Sequence, residues 1–313
     1  MILKRALAHK TLAHAYLFSG DAGIGKKMSA LALAAAVNCP DAGADGGCGE
    51  CPACRKVAAA SHPDVHLVAA DGDEIKIDQI RQIQSDLSLR PFEGARKVLI
   101  MDGAEGMNAA AANAFLKTLE EPPGETLIVL ISAMPQSLLP TIRSRCQDIR
   151  FLPLPRRTLA QVLAQKRGCS EDDARFIAGL AQGSLGRGLD MDIEEEKTAR
   201  EEILTLWSGL ERMGPGEVLA QAEALSKDRD RLARWLAVGV DWLRDAMVFQ
   251  VTGDEDLLVH AQSRVLLEEW GERYSLQRML LDIEHLATGR ILLERRVSAQ
   301  LVAENLLMKL GRG

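Results

Sequence analysis

The sequence predicts an α/β domain built on a parallel sheet, followed by all-helical segments. In the first half of the chain, short apolar runs alternate with helical stretches, a pattern typical of a parallel sheet with helices on both faces. A glycine-rich turn follows the first apolar run and precedes a helix, as in phosphate-binding loops. Strand-like runs then stop near Pro155, beyond which the apolar residues recur at helical spacing.

Five strands and three long helices are predicted in the first half from these patterns. The predicted strands are residues 16–19, 64–68, 97–102, 126–132 and 149–152. The predicted helices are residues 26–37, 77–89 and 108–120. The last helix ends before Pro122 and Pro123, because proline lacks the N–H that would continue the helical hydrogen bonds.

The chain has 313 residues, enough for two or three domains. We expect a phosphate-loop domain at 1–152 with a cysteine-rich insert at 39–54, a small helical domain at 153–193 and a helical domain at 194–313. The small domain is predicted to hold two or three short helices. We expect those helices to be broken at Gly183, Gly186 and Gly188.

Composition and charge exclude several classes of protein. Hydrophobic residues make up 47% and charged residues 26%, as in ordinary globular proteins. The net charge of -6, with no basic stripe, argues against a stand-alone nucleic-acid binder. There is no apolar run long enough for a membrane span, and the N-terminus lacks the apolar core of a signal peptide. We therefore expect a cytoplasmic protein whose six cysteines stay reduced.

The glycine-rich turn fits the phosphate-loop pattern G-x-x-x-x-G-K but not its final Ser or Thr. Gly20, Gly23 and Gly25 would let backbone N–H groups turn inward and cradle phosphate oxygens. The N-terminus of the following helix adds partial positive charge, and Lys26 would reach the terminal phosphates. Lys27 takes the place of the hydroxyl residue. The sequence leaves open whether ATP or ADP binds there.

Two residues depart from an active ATPase. The last position of the loop pattern normally gives a hydroxyl to Mg²⁺, and Lys27 cannot ligate a cation. Asp102 ends an apolar strand and would hold the metal, but Gly103 stands where an active relative of this class carries a glutamate that activates water. Glu105 comes two residues later and is expected to point elsewhere. The absence of both the hydroxyl ligand and the activating glutamate favours a nucleotide site that does not hydrolyse ATP.

A second motif has the spacing C-x8-C-x2-C-x2-C, formed by Cys39, Cys48, Cys51 and Cys54. Four thiolates close a tetrahedral zinc site with no open position, which makes such a site structural. Two alternatives remain: free buried cysteines, or a redox pair at Cys51 and Cys54, which would not need the other two thiols. Cys146 and Cys169 lie far away in sequence and are expected to be ordinary buried or half-buried cysteines.

Several segments together resemble the bacterial clamp-loader subunits, which are AAA+ proteins of the DNA polymerase III holoenzyme. The resemblance is carried by residues 14–20, the four cysteines, the run Asn-Ala-Phe-Leu-Lys-Thr-Leu-Glu-Glu-Pro-Pro at 113–123 and the triplet Ser-Arg-Cys at 144–146. It is dense over residues 12–152 and weaker over 153–313. Members of this family have an AAA+ core, a helical lid and a helical collar that joins a hetero-pentameric ring.

The resemblance also implies roles for particular residues. Arg145 of the Ser-Arg-Cys triplet matches an arginine finger that reaches the ATP held by an adjacent gamma/tau subunit. The four cysteines match the family's zinc ligands. The implied partners are gamma/tau and delta in the ring, with the sliding clamp and primer-template DNA reached through the complex. Relatives also carry a longer N-terminus that contains an adenine-contacting segment.

The departures favour one of the family's two types. Lys27 and Gly103 fit the non-hydrolysing delta-prime type, which lacks ATPase and polymerase activity of its own within the nucleotidyltransferase holoenzyme. Gly186 stands where the motor type carries a sensing arginine, with Arg187 next to it. One alternative is an active AAA+ ATPase of the gamma/tau type with atypical metal coordination. Another is a zinc-stabilised binding module unrelated to replication.

Overall fold

The computed structural model describes residues 2–43, 46–71, 74–210 and 212–311. Residues 44 and 45 of the predicted cysteine-rich insert lie outside this description. The chain forms two units. The first comprises Met1–Leu154 with Ser184–Gly186, and the second comprises Pro155–Gly183 with Arg187–Gly313. The further division of the helical half at residue 193 stays a prediction.

The first unit is built on a five-stranded parallel sheet. Its strands are β1 (Ala15–Ser19), β2 (Val65–Val68), β3 (Lys97–Asp102), β4 (Thr126–Ser132) and β5 (Gln147–Arg150). They lie in the order β2-β3-β4-β1-β5, and every neighbouring pair is parallel. The helices are α1 (Ile2–Ala8), α2 (Lys26–Asn38), α3 (Pro52–Ala58), α4 (Ile77–Ser88), α5 (Ala109–Glu120) and α6 (Pro140–Arg143). The parallel sheet with its helices confirms the predicted α/β class.

Both faces of the three central strands, β3, β4 and β1, are buried, which explains why these strands are apolar at nearly every position. On one face, Leu17 of β1 packs in a core with Ile80 of α4 and Phe115 of α5. On the other face, Phe18 of β1 packs with Leu33 of α2. Because successive strand residues point to opposite faces, a strand covered on both sides needs apolar residues of both parities. This packing fixes the strand ends and the loops that follow them.

The prediction for the last strand was wrong by two residues. Residues 149–152 were predicted from their apolar character, whereas β5 spans Gln147–Arg150. β5 lies at the edge of the sheet and is largely exposed, so it does not need an apolar sequence. Phe151 instead ends the strand: its N–H donates to the Ser19 carbonyl at 2.7 Å, and its ring packs on Phe18 with centroids 5.1 Å apart.

The second unit is all helical. Its helices are α7 (Arg156–Arg167), α8 (Glu171–Leu180), α9 (Leu185–Asp190), α10 (Ile193–Leu210), α11 (Pro215–Ser226), α12 (Arg229–Thr252), α13 (Arg264–Arg273), α14 (Leu276–Glu294) and α15 (Ala299–Leu310). The first two residues of α9 belong to the first unit. All four tryptophans join its core. The Trp207 and Trp270 rings meet edge to face with centroids 5.2 Å apart, a favourable aromatic geometry. Within the described residues, no helix is long and apolar enough to span a membrane.

Two of the three glycine breaks were predicted wrongly. Gly183 does end a helical segment and has a left-handed φ of 82°. Gly186 and Gly188, however, lie inside α9. A Cβ on Gly188 would stand 3.0 Å from a methyl group of Leu163, so this glycine permits close packing between helices. Glycine pattern alone does not distinguish a break from a close contact.

A buried carboxylate holds the loop between α4 and β3. Asp64 is 1% exposed, and its two oxygens accept the backbone N–H groups of Phe92, Glu93 and Gly94 at 2.7, 2.9 and 2.7 Å. Burial alone would raise the pKa of Asp64, but the three N–H donors outweigh it and hold the pKa below its ordinary value. The ionised carboxylate is therefore part of the folded structure.

We expect Asp64→Asn to lower the free energy of unfolding by about 1–3 kcal/mol, because the amide NH₂ group would face backbone N–H donors. Urea denaturation at pH 7 measures this, with Asp71→Asn as the control, since the Asp71 carboxylate forms an exposed ion pair with Lys76 at 3.3 Å, and such a pair contributes little. The pKa of Asp64 is lower in the folded than in the unfolded chain. Its stabilising contribution is therefore present above the pKa of the unfolded state and is lost as the pH falls through the pKa of the folded state. Equal denaturation midpoints for both variants at pH 7 would contradict the role of Asp64.

Candidate functional site

The glycine-rich turn lies at the carboxyl end of β1 and leads directly into α2. Gly20, Gly23 and Gly25 have positive φ values of 136°, 76° and 95°, which side-chain-bearing residues rarely adopt. A Cβ on Gly20 would lie 2.5 Å from the carbonyl oxygen of Phe151, so only glycine fits there. The turn thus has the backbone shape of a phosphate loop.

Lys26 closes onto this turn. Its side chain is buried, and its ammonium donates to the carbonyl oxygens of Gly20 and of Asp21, the latter at 2.6 Å. Burial lowers the pKa of Lys26, although nearby carboxylates act in the opposite direction. The N–H of Gly186 adds a hydrogen bond of 3.1 Å to the Gly23 carbonyl. Lys26 is therefore bonded within its own loop, and the carbonyl groups of Gly20, Asp21 and Gly23 all accept hydrogen bonds.

Lys27 pairs with the carboxylate that was predicted to hold a metal. Its ammonium lies 3.2 Å from an oxygen of Asp102, the last residue of β3. The pair joins the first turn of α2 to the end of β3, although β4 lies in the sheet between β3 and β1, the strand that leads into that helix. An ammonium group thus lies beside one oxygen of Asp102, and both side chains are partly exposed. Lys27 was predicted to repel a cation, but its pairing with Asp102 was not predicted.

Gly103 carries no carboxylate, and the next acidic residue along the chain is Glu105. Gly103 has a φ of 73°, and Glu105 lies in the short turn after it. One oxygen of Glu105 accepts the N–H of Ala133, just beyond β4, at 3.0 Å. Glu105 therefore binds the backbone beside a neighbouring strand end, and its charge also acts to raise the pKa of Lys26 against the effect of burial.

The four cysteines of the second motif come together in space. The sulfur atoms of Cys39, Cys48, Cys51 and Cys54 all lie within 4.8 Å of one another. Backbone N–H groups of Cys48, Cys51 and Cys54 donate to the sulfurs of Cys39, Cys48 and Cys51 at 3.4, 3.3 and 3.4 Å. The Cys51 N–H lowers the pKa of the Cys48 thiol to about 7, whereas burial raises the pKa of Cys54 to about 12.

The geometry fits a tetrahedral metal site. Four sulfurs at about 2.3 Å from a zinc ion lie about 3.8 Å apart, and the Cys51–Cys39 sulfur distance is 3.8 Å. A Cβ on Gly47 would lie 2.8 Å from the Cys54 sulfur, so the chain approaches the cluster closely there. Cys146, by contrast, is not part of the cluster, and burial raises the pKa of its thiol to about 12.

Arg145 follows the short helix α6, and its guanidinium makes three hydrogen bonds, of which the one to the Ser144 hydroxyl is long at 3.5 Å. Nη2 lies 2.6 Å from an oxygen of Glu120, the last residue of α5, and Nη1 donates to the Thr141 carbonyl at 2.9 Å. Sequence analysis missed Glu120, although it belongs to the 113–123 run that was used for the resemblance. No local pattern connects two residues 25 positions apart, so only the fold reveals the pair.

Arg145 and the phosphate loop lie at opposite edges of the sheet. Arg145 comes just before the amino end of β5, whereas the loop begins after the carboxyl end of β1. The two strands are parallel neighbours, with Tyr16 opposite Gln147. The four residues of β5 span roughly 13 Å. Arg145 is therefore about one strand length from the phosphate loop of its own chain, and a groove lined by Gly20, Asp21, Arg143 and Ser144 joins the two regions.

Comparison with known proteins gives consistent matches. A family model described as DNA polymerase III, delta subunit matches residues 1–155. DNA polymerase III subunit delta' of Pseudomonas aeruginosa is 33% identical over 301 residues, covering 95% of this chain and 91% of the relative. The subunit of the same name from Bacillus subtilis is 31% identical over 318 residues, covering 100% and 95%.

A crystal structure of a DNA polymerase III gamma subunit-related protein from Thermotoga maritima aligns with 99% of this chain and 97% of its own, at 21% identity and a TM-score of 0.45. The two delta' relatives provide the stronger result, because their identity exceeds 30% across nearly the whole length of both proteins. The chain belongs to the family of DNA polymerase III delta-prime subunits.

Proposed function

We propose that this chain is a non-hydrolysing subunit of a clamp loader, and that Arg145 completes the ATP site of a neighbouring subunit. The observation that carries the proposal is the position of Arg145 at the sheet edge opposite the chain's own phosphate loop. An arginine placed there does not serve a nucleotide in its own loop. It is half-exposed and available to an adjacent chain.

The chemistry of such an arginine is electrostatic. Negative charge spreads over the oxygens of the phosphoryl group as it transfers, and a guanidinium stabilises that charge. Supplied from a neighbouring chain, an arginine of this kind accelerates hydrolysis by about 10³–10⁵-fold. The proposed role requires Arg145 to be presented to the partner and requires no catalytic residue in this chain's own loop.

The chain's own nucleotide site lacks the groups that hydrolysis needs. Lys27 pairs with Asp102 at 3.2 Å in place of a hydroxyl ligand for Mg²⁺, and Glu105 is bound to the Ala133 N–H. Lys26 is engaged with carbonyl groups of the loop. Gly20, Gly23, Gly25 and the two lysines would hold an ATP or ADP molecule only if Lys26 turned away from those carbonyls. These contacts support a silent site over the alternative of an active gamma/tau-type ATPase.

We assign the cysteine cluster to a structural zinc ion. Four sulfur ligands leave no position for water or substrate, so the ion would connect the end of α2 to the start of α3 without taking part in chemistry. The 3.8 Å sulfur–sulfur distance supports a shared ion rather than a disulfide.

The proposed partners are the gamma/tau and delta subunits of a five-membered ring, with the sliding clamp and primer-template DNA bound by the whole complex. In this scheme the chain remains a fixed member of the ring while ATP turns over in its neighbours. Its net charge of -6 supports only a minor share of the phosphate contacts to DNA. The lid at 153–193 and the collar at 194–313 are part of this proposal, as is a cytoplasmic location.

Cys48→Ser is expected to remove the metal, because a three-sulfur site binds zinc more weakly and opens to water. Elemental analysis of the purified chain should give about one zinc per wild-type molecule and far less for the variant. Cys169→Ser is the matched control and should keep its zinc, since Cys169 lies outside the cluster. Equal zinc content in both variants would show that the cluster is not the metal site.

Arg145→Ala is expected to lower the clamp- and DNA-stimulated ATPase of a reconstituted loader by about 10³-fold or more at sites that depend on this finger. Arg143→Ala is the matched control, because Arg143 is also exposed and ends α6. Steady-state hydrolysis by loaders that contain each variant measures the effect. Wild-type turnover with Arg145→Ala would leave only a scaffold role.

The isolated chain is expected to show no ATP hydrolysis above background, and Lys26→Ala should not change that result. The reason is that Lys27 replaces the hydroxyl residue that would ligate Mg²⁺, and Gly103 replaces the glutamate that would activate water. Phosphate release by the isolated chain, with and without the substitution, measures this. Turnover that disappears in Lys26→Ala would instead support the active ATPase alternative.

A further inference from the structure

The side chain of Arg145 is tethered to a rigid element. Glu120 accepts a hydrogen bond from Nη2 at 2.6 Å, and the side chains of the pair are 36% and 49% exposed. Glu120 is the last residue of α5, whose buried face is fixed in the core by Phe115 and Leu119. The carboxylate is therefore anchored to the sheet-packed helix rather than to a free loop.

The adjacent acidic residue does not share this arrangement. Glu121 leaves the helix with φ -130° and ψ 73°, and its N–H closes the last turn onto the Lys117 carbonyl. No ion pair is found for Glu121 among the described residues, and its side chain is exposed. The two neighbouring glutamates thus have the same chemistry but different relations to Arg145, and one serves as a control for the other.

The tether leaves part of the guanidinium available. An arginine has five N–H donors in a planar fork. Glu120 takes one from Nη2, and Nη1 donates to the Thr141 carbonyl and, at 3.5 Å, to the Ser144 hydroxyl. Nε has no hydrogen-bond partner among the described residues. Phosphate oxygens can therefore approach Nε and the second N–H of Nη2 while the existing hydrogen bonds stay in place.

We propose that Glu120 is the positioning residue of Arg145: it fixes the plane and direction of the guanidinium, so that the free donors are presented to the neighbouring ATP. This inference rests on the finger role proposed above. An exposed ion pair contributes little to folding, so the effect of Glu120 is on the orientation of Arg145. Because Glu120 already holds the Arg145 side chain in one rotamer, the side chain loses less conformational entropy each time it engages the ATP.

The first test uses the isolated chain and does not depend on ATP hydrolysis. Phenylglyoxal adds to accessible guanidinium groups, and mass spectrometry gives the labelling rate of Arg145 relative to Arg143. We expect Glu120→Gln to raise the relative rate at Arg145 by roughly two- to fivefold, the range of an exposed ion pair. Glu121→Gln should leave it unchanged. Equal rates in the wild type and in Glu120→Gln would overturn the tether.

The second test uses the complete reconstituted loader. Glu120→Gln should lower the stimulated kcat by roughly two- to fivefold and leave the KM for ATP unchanged, because ATP is bound by the neighbouring subunit. In loaders that already carry Arg145→Ala, adding Glu120→Gln should have no further effect, since Glu120 acts through Arg145. Glu121→Gln should behave as wild type in both backgrounds.

The two tests separate the two hypotheses. If Arg145→Ala leaves turnover intact, the finger role fails, and the labelling experiment still decides whether Glu120 orients the arginine. If Glu120→Gln lowers kcat equally with and without Arg145, the glutamate acts by another route and the positioning role is overturned. A rise in kcat on Glu120→Gln would also overturn it, because the carboxylate would then be restraining the finger.

Discussion

The parallel direction of the five strands governs the placement of the phosphate loop and of the charged residues Asp102, Glu120 and Arg145. Loops that follow strands meet at the carboxyl edge, and segments that precede strands meet at the amino edge. The phosphate loop after β1 and Asp102 at the end of β3 therefore share one edge. The end of α5, which leads towards β4, and Arg145, which leads into β5, share the other edge. Both charge pairs of the site follow from this constraint.

Those two pairs are similar in strength but differ in consequence. Lys27–Asp102 and Arg145–Glu120 are both partly exposed, so each contributes about 0–1 kcal/mol to folding. Their importance lies in the effect that each pair has on a charged ligand. The first puts a fixed positive charge beside the carboxylate that a Mg²⁺ ion would need. The second holds a positive charge at the surface where a partner's phosphate could reach it.

Stability in this unit comes instead from burial and from buried hydrogen bonds. The sheet is covered on both faces, and Asp64 binds three backbone N–H groups of the loop before β3. Lys26 is likewise buried with its hydrogen bonds made within the loop. The phosphate-loop shape is thus kept by internal contacts, and it does not need a bound nucleotide to account for its presence in this chain.

The sequence by itself determined the class of fold, because apolar runs buried on both faces and helical spacing are local properties. It placed β3 and β4 correctly at 97–102 and 126–132, and it placed the four cysteines in one motif. It misplaced β5, since an edge strand carries no apolar signal, and it took glycines of α9 for breaks. Only the tertiary structure joined Glu120 to Arg145 and Lys27 to Asp102. Pairing between distant residues depends on strand order and direction, which no local pattern encodes.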